Sequence, residues 1–104
     1  MAKTKAKRLA NIHPGEVLRE EFLVPLGVSQ YRLAKELGVT EARISAICSG
    51  KRGITADTAL RLAAFFGTSS AFWLGLQADY DTEEAAAELA DTLARIHRFE
   101  PQAA

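Results

Sequence analysis

At 104 residues the chain is long enough for one domain and too short for two comfortable ones. Its 48% hydrophobic and 25% charged residues are the balance of a globular protein, and no apolar run approaches the length that crosses a bilayer. The formal net charge of zero hides a split: residues 1–76 hold eleven Lys and Arg against six acids, whereas residues 77–104 hold two Arg against seven acids. A basic part suited to phosphates is thus joined to an acidic part, which suits either a second partner or the solubility of an exposed helix.

The basic N-terminus has no apolar segment behind it, so residues 1–11 read as a flexible cationic arm rather than a secretory signal. The first helix is expected to start at Pro14, run through Val17, Leu18, Glu21 and Phe22, and stop at Pro25 and Gly27. Ser29 caps a second helix bearing Leu33, Ala34 and Leu37 on one face, closed by Gly38. Thr40 opens a third, with Ile44, Ile47 and Cys48 inward and Gly50 after it. Thr55 opens a fourth through Ala59, Leu60, Leu62, Ala63 and Phe66 to Gly67, and Ser69 opens a fifth carrying Phe72, Trp73, Leu74, Leu76 and Tyr80. Asp81 with Glu84 three residues on suggests a capping box for a last helix with a Leu89, Leu93 and Ile96 stripe, ending before Pro101. No segment alternates apolar and polar residues between turns, so the fold class is all-α. The expected organisation is an arm at 1–11, a helical domain at 12–80 and an acidic amphipathic helix and tail at 81–104.

The informative unit is the pair of short helices joined by Gly38-Val39-Thr40. Gly38 tolerates the positive φ of a tight turn, Val39 fills the wedge between the helices, and Ala34 is small enough to let them approach. With Ile44 inward, a turn of 100° per residue places Ala42, Ser45, Ala46 and Ser49 outward, flanked by Glu41 and Arg43. Short side chains there let a helix approach base edges: alanines suit a thymine methyl, Ser45 either donates or accepts, and Glu41 accepts from cytosine. Arg43 suits a guanine or a phosphate, and the spacing does not choose between them. Gln30 and Tyr31, at the start of the second helix, and Lys51 and Arg52, after the third, are candidate phosphate contacts.

Other residues point away from chemistry. His13, His97 and the single Cys48 have no metal-ligand spacing, and no cofactor motif is present, so neither an enzyme nor a metal protein is expected. Lone Cys48 reads as a small buried hydrophobe in a reducing, cytoplasmic setting. The aromatic group Phe65, Phe66, Phe72 and Trp73 reads mostly as core. A small domain cannot hide every large side chain, however, so Trp73, Tyr80, Leu89, Leu93 and Ile96 are candidates for a dimer interface.

Ser29-Gln30, Leu33-Ala34, Leu37 to Thr40, Ile44-Ser45 and Gly50 to Arg52 together resemble the Xre, or lambda-repressor-like, helix-turn-helix. His13 to Leu18, Ile54 to Leu62, and Phe72-Trp73-Leu74 with Leu76-Gln77 further resemble the HigA-type (VapI-like) antitoxins, in that family's order, over about residues 12–80. The resemblance implies a five-helix lambda-repressor-like domain with an additional C-terminal helix. It also implies a cytoplasmic, nucleoid-associated antitoxin that dimerises on a palindromic operator, represses its own operon and binds a RelE-like mRNA interferase. Carried over by position, Gln30, Thr40, Glu41, Ala42, Arg43, Ser45 and Ala46 fall on that family's DNA-reading surface. Two other readings stand beside it: a free-standing repressor with no toxin, and an interaction module that has lost its operator.

Overall fold

The computed structural model describes residues 10–102. Most of the expected basic arm, residues 1–9, therefore lies outside the described residues. Six helices follow one another, and no strand occurs among the described residues. We number them α1 (residues 14–26), α2 (Gln30–Leu37), α3 (Glu41–Cys48), α4 (Ala56–Phe66), α5 (Ser70–Glu88) and α6 (Ala90–Ala94).

Helix α1 starts where the sequence places it, with Pro14 in the first turn and the His13 Nδ1 accepting from the Gly15 N–H at 2.9 Å. It does not stop at Pro25. Between Pro14–Val17 and Val24–Leu26, the stretch Leu18–Leu23 winds as a π-helix, in which the Val24 N–H donates to the Arg19 carbonyl. In α geometry Leu18 and Leu23 would point about 140° apart. The wider turn brings both into the core, at 0% and 3% exposure. Pro25 sits in the first turn of the α segment after this widening, and Gly27, at φ 67°, ends the helix instead.

Helices α2 to α5 each open on a capped turn. Ser29, Thr40, Thr55 and Ser69 accept from the N–H groups of Arg32, Arg43, Thr58 and Phe72, satisfying donors that the helices leave unpaired. Between α2 and α3, Gly38 adopts φ 73° and the Val39 N–H returns to the Ala34 carbonyl at 3.0 Å. That closure turns the chain within three residues and leaves Val39 packed against the core.

The core joins Leu18 and Leu23 of α1 to Leu33, Ala34 and Leu37 of α2, Ile44, Ile47 and Cys48 of α3, Ile54, Ala59 and Leu62, and Trp73 of α5. Full burial of each large side chain is worth about 1.5–3 kcal/mol. Trp73 is completely enclosed: its ring meets Phe22 and Phe72 at 4.9 Å, and its Nε1 donates to the Thr68 hydroxyl at 2.8 Å. It presents no surface to a second subunit, so it leaves the set of dimer-interface candidates.

The C-terminal helix also differs from the expectation. No helix begins at Asp81: α5 runs without a break from Ser70 to Glu88, and Gly75 lies inside it. With no helix end there, no N–H awaits a cap, and the Asp81 carboxylate accepts instead from the Gln77 side chain at 2.9 Å. The break comes at Leu89, whose φ of −97° and ψ of 8° separate α5 from the single short turn of α6. The expected boundary at 80/81 therefore falls within one rod. Every residue from Glu84 to Gln102 is exposed, so the C-terminal part of that rod stands off the body.

Candidate nucleic-acid interface

The two ends of α3 are held by different devices. At its start, the Thr40 hydroxyl accepts from the Arg43 N–H at 3.1 Å. At its end, Arg19 of α1 donates from Nη1 to the Cys48 carbonyl at 2.7 Å, placing a cation where the helix dipole is negative. The chain leaves through Gly50, at φ 82°, and both the Lys51 and Arg52 N–H groups return to the Ala46 carbonyl, at 2.9 and 3.2 Å. Those two cations are therefore fixed by backbone geometry just beyond the helix, with their side chains exposed.

Below α3, packing is close. Gly15 lies against its inner side, where a Cβ would fall on the Ile47 carbonyl. Ile44 and Ile47 have no exposure and Cys48 has 4%. Burial pushes the Cys48 thiol above its ordinary pKa, outweighing the opposite pull of Arg19, so the residue is a packed hydrophobe and a poor nucleophile.

The opposite face of α3 presents Glu41, Ala42, Ser45 and Ser49 to solvent. Ser49 also donates to the Ala46 carbonyl at 3.2 Å. Ala46, expected on the same face, is half-buried beside it. At the start of α2, Tyr31 is 60% exposed and Gln30 half-buried, and Thr40 before α3 is exposed. The residues singled out by the sequence on the outer side of α3, in the turn before it, at the start of α2 and at the Lys51-Arg52 exit are thus exposed or half-buried.

Arg43 departs from that surface. Its side chain is only 19% exposed and folds onto α4, where Nη2 donates to Asp57 Oδ1 and to Thr58 Oγ1, both at 2.7 Å. Asp57 accepts on the same oxygen from Arg61 Nε at 2.7 Å, and Arg61 Nη1 reaches the Leu37 carbonyl at the end of α2. The Arg61 hydrogen bond, followed by that from Arg43, holds the Asp57 carboxyl below its ordinary pKa. Sequence reasoning missed Asp57, Thr58, Arg61 and Arg19 as supports of the surface. Of these only the Asp57–Arg61 spacing of four residues was readable as a helical ion pair.

Among the described residues there is no group of His, Cys, Asp or Glu side chains able to hold a metal, and no helix long and apolar enough to cross a membrane. The helix-turn-helix family matches residues 18–73. Virulence-associated protein I of Dichelobacter nodosus is 54% identical over 74 residues, covering 71% of this chain and 68% of that protein. Antitoxin HigA-1 of Vibrio cholerae is 38% identical over 77 residues, covering 74% of this chain and 70% of that one. In three dimensions, Pseudomonas aeruginosa antitoxin HigA, solved with the higBA promoter, aligns with a TM-score of 0.83 at 38% identity, covering 88% of this chain and all of that one. The family match runs from within α1 to the start of α5, and these relatives lie among DNA-binding regulators rather than enzymes. The chain belongs to the Xre-like helix-turn-helix family, with HigA antitoxins and VapI-type proteins among its relatives.

Proposed function

We propose that this chain is an antitoxin-type autorepressor: a homodimer that occupies a palindromic operator and also binds a RelE-like toxin. The observation that carries the reading is the outer face of α3, where Ala42, Ser45 and Ser49 leave a low, polar surface on a helix fixed at both ends. A helix with that face fits the major groove, which admits one α-helix and offers a distinct pattern for each base pair. The likeness to a HigA antitoxin solved with promoter DNA supports the same use of the same unit.

In this reading Glu41, Ala42, Ser45, Ala46 and Ser49 meet base edges. Gln30, Tyr31, Thr40, Lys51 and Arg52 meet phosphates and set the register. Two subunits present α3 to successive major grooves about 34 Å apart. Tyr80, Leu89, Leu93 and Ile96 supply the dimer contact: the last three are 44%, 48% and 65% exposed in the single chain, a cost in apolar exposure that association relieves. Tyr80 contributes least free surface, because its ring already packs edge-on against His13 at 4.9 Å.

The test is a gel shift on the DNA upstream of the gene, at several salt concentrations. Arg52→Ala should weaken binding to operator and scrambled DNA alike and lower the salt slope by about one. Ala46→Leu should weaken the native operator while sparing scrambled DNA. If neither change alters binding, this face does not read DNA. Co-expression with the neighbouring gene product, asking whether the two co-purify and whether growth arrest is relieved, separates an antitoxin from a free-standing repressor.

A further inference from the structure

Arg43 is the cation that lies on the DNA-reading helix and yet does not face outward. Its Nη2 is shared between Asp57 and Thr58 at 2.7 Å each, and its Nε is buried without a hydrogen-bond partner. Leaving that N–H unpaired costs free energy, which the two charge-assisted Nη2 hydrogen bonds offset in the folded-back position. Asp57 provides the other half. Through one oxygen it joins Arg43 near the start of α3 to Arg61, which is itself bonded to the last carbonyl of α2. One carboxylate at the N-terminal turn of α4 therefore ties down the first turn of α3 and, through Arg61, the C-terminus of α2.

We infer that Arg43 is a positioning residue, setting the angle at which α3 meets DNA through the Asp57–Thr58 pair, and is not itself a DNA contact. This rests on the DNA-binding reading above. Hydrophobic packing alone leaves a short helix free to rock: Ile44 and Ile47 anchor the inner side of α3, but apolar contacts are non-directional. The Arg43 fork supplies the directional constraint next to Ala42 and Ser45, where a small change in tilt moves the reading atoms furthest. Asp57 also keeps the Arg43 charge from the phosphates, so the surface reads bases with short side chains and leaves the phosphate attraction to Lys51 and Arg52.

The experiment measures operator and scrambled-DNA affinity, with salt dependence, for the full chain and for Arg43→Met, Asp57→Asn, Thr58→Val and the Arg43→Met/Asp57→Asn double variant. Thr58→Val changes no charge, so it remains informative if the charge variants fold poorly. Under the inference, each single variant loses about tenfold in operator affinity, the scale of one lost base contact, with little change on scrambled DNA. The double variant loses no more than the worse single one, and Arg43→Met leaves the salt slope unchanged. Two results overturn it. One is an Arg43→Met slope reduced by about one while Asp57→Asn binds operator more tightly, which would mean that Arg43 swings out to DNA. The other is a fall in thermal stability with operator affinity unchanged, which would make the cluster merely structural. A wild-type chain that shifts no upstream DNA at all would instead overturn the function proposed above, and the role of Arg43 with it.

Discussion

At the scale of single residues, the base of α3 is set by contacts too close to tolerate change. Gly15 is buried in the first turn of α1 against the Ile47 carbonyl, and the obstacle to a Cβ is backbone, which cannot rotate away. Gly15→Ala should therefore cost at least the 1–3 kcal/mol, roughly, of an overpacked core, read as a lowered urea midpoint. His13 acts beside it as an N-cap, accepting from Gly15 through Nδ1, a role open only to the neutral ring. Partial burial lowers its pKa below 6.5, and the pull of Asp81 in the other direction is the smaller effect. As pH falls the unfolded chain takes up this proton first, so the stabilisation is whole above about pH 6.5 and is lost as pH falls through the folded value. Between pH 8 and pH 5, the thermal midpoint of the wild type should drop more than that of His13→Asn, whose cap does not titrate. Equal slopes would show that the His13 proton is not coupled to folding.

At the scale of elements, α2 to α5 each start on a hydroxyl cap, and the first three end on glycine or on a neighbour's side chain, so local chemistry defines them before packing does. Thr40 has two roles, as the cap of α3 and as a proposed phosphate contact. Thr40→Ala should cost about 1 kcal/mol of stability and also weaken DNA binding, whereas Thr40→Ser should retain both. Thermal melts and gel shifts on the same two proteins check this; a loss of stability with full DNA affinity would remove Thr40 from the phosphate set. The π turn of α1 follows a different logic. Leu18 and Leu23 lie about 140° apart in α geometry, and the widened turn carries both into the core.

At the scale of the whole molecule, a body made of α1 to α4 and the first part of α5 continues into a rod whose last part touches little of it. The core is complete before Glu84, and Leu89, Leu93, Ile96 and the 82% exposed Phe99 lie beyond it. Replacing Leu89, Leu93 and Ile96 together by Glu should leave the protomer folded but reduce it to a monomer in light scattering at micromolar concentration. A dimer that survives the triple change would place the interface elsewhere. Because a dimer carries two sets of phosphate contacts, the same variant should also show a shallower salt dependence on a palindromic operator.

The helix boundaries and inner faces within residues 29 to 52 were legible in the sequence because the constraints that set them are local. Ser29 and Thr40 cap their own helices, Gly38 takes the positive φ of its own turn, and the apolar spacing of Leu33, Leu37, Ile44 and Ile47 defines the inner face. The all-helical class and the exposure of Ala42 and Ser45 followed from the same periodicity. Only the tertiary structure decided three further points: that Trp73 is enclosed by Phe22 and Phe72, that α5 continues through Asp81, and that Arg43 turns back to Asp57. Each depends on a partner distant in sequence or on the absence of any competing helix end. Periodicity assigns a side chain to a face, but a long, charged side chain goes to whichever partner satisfies it, and that partner is set by how the helices meet.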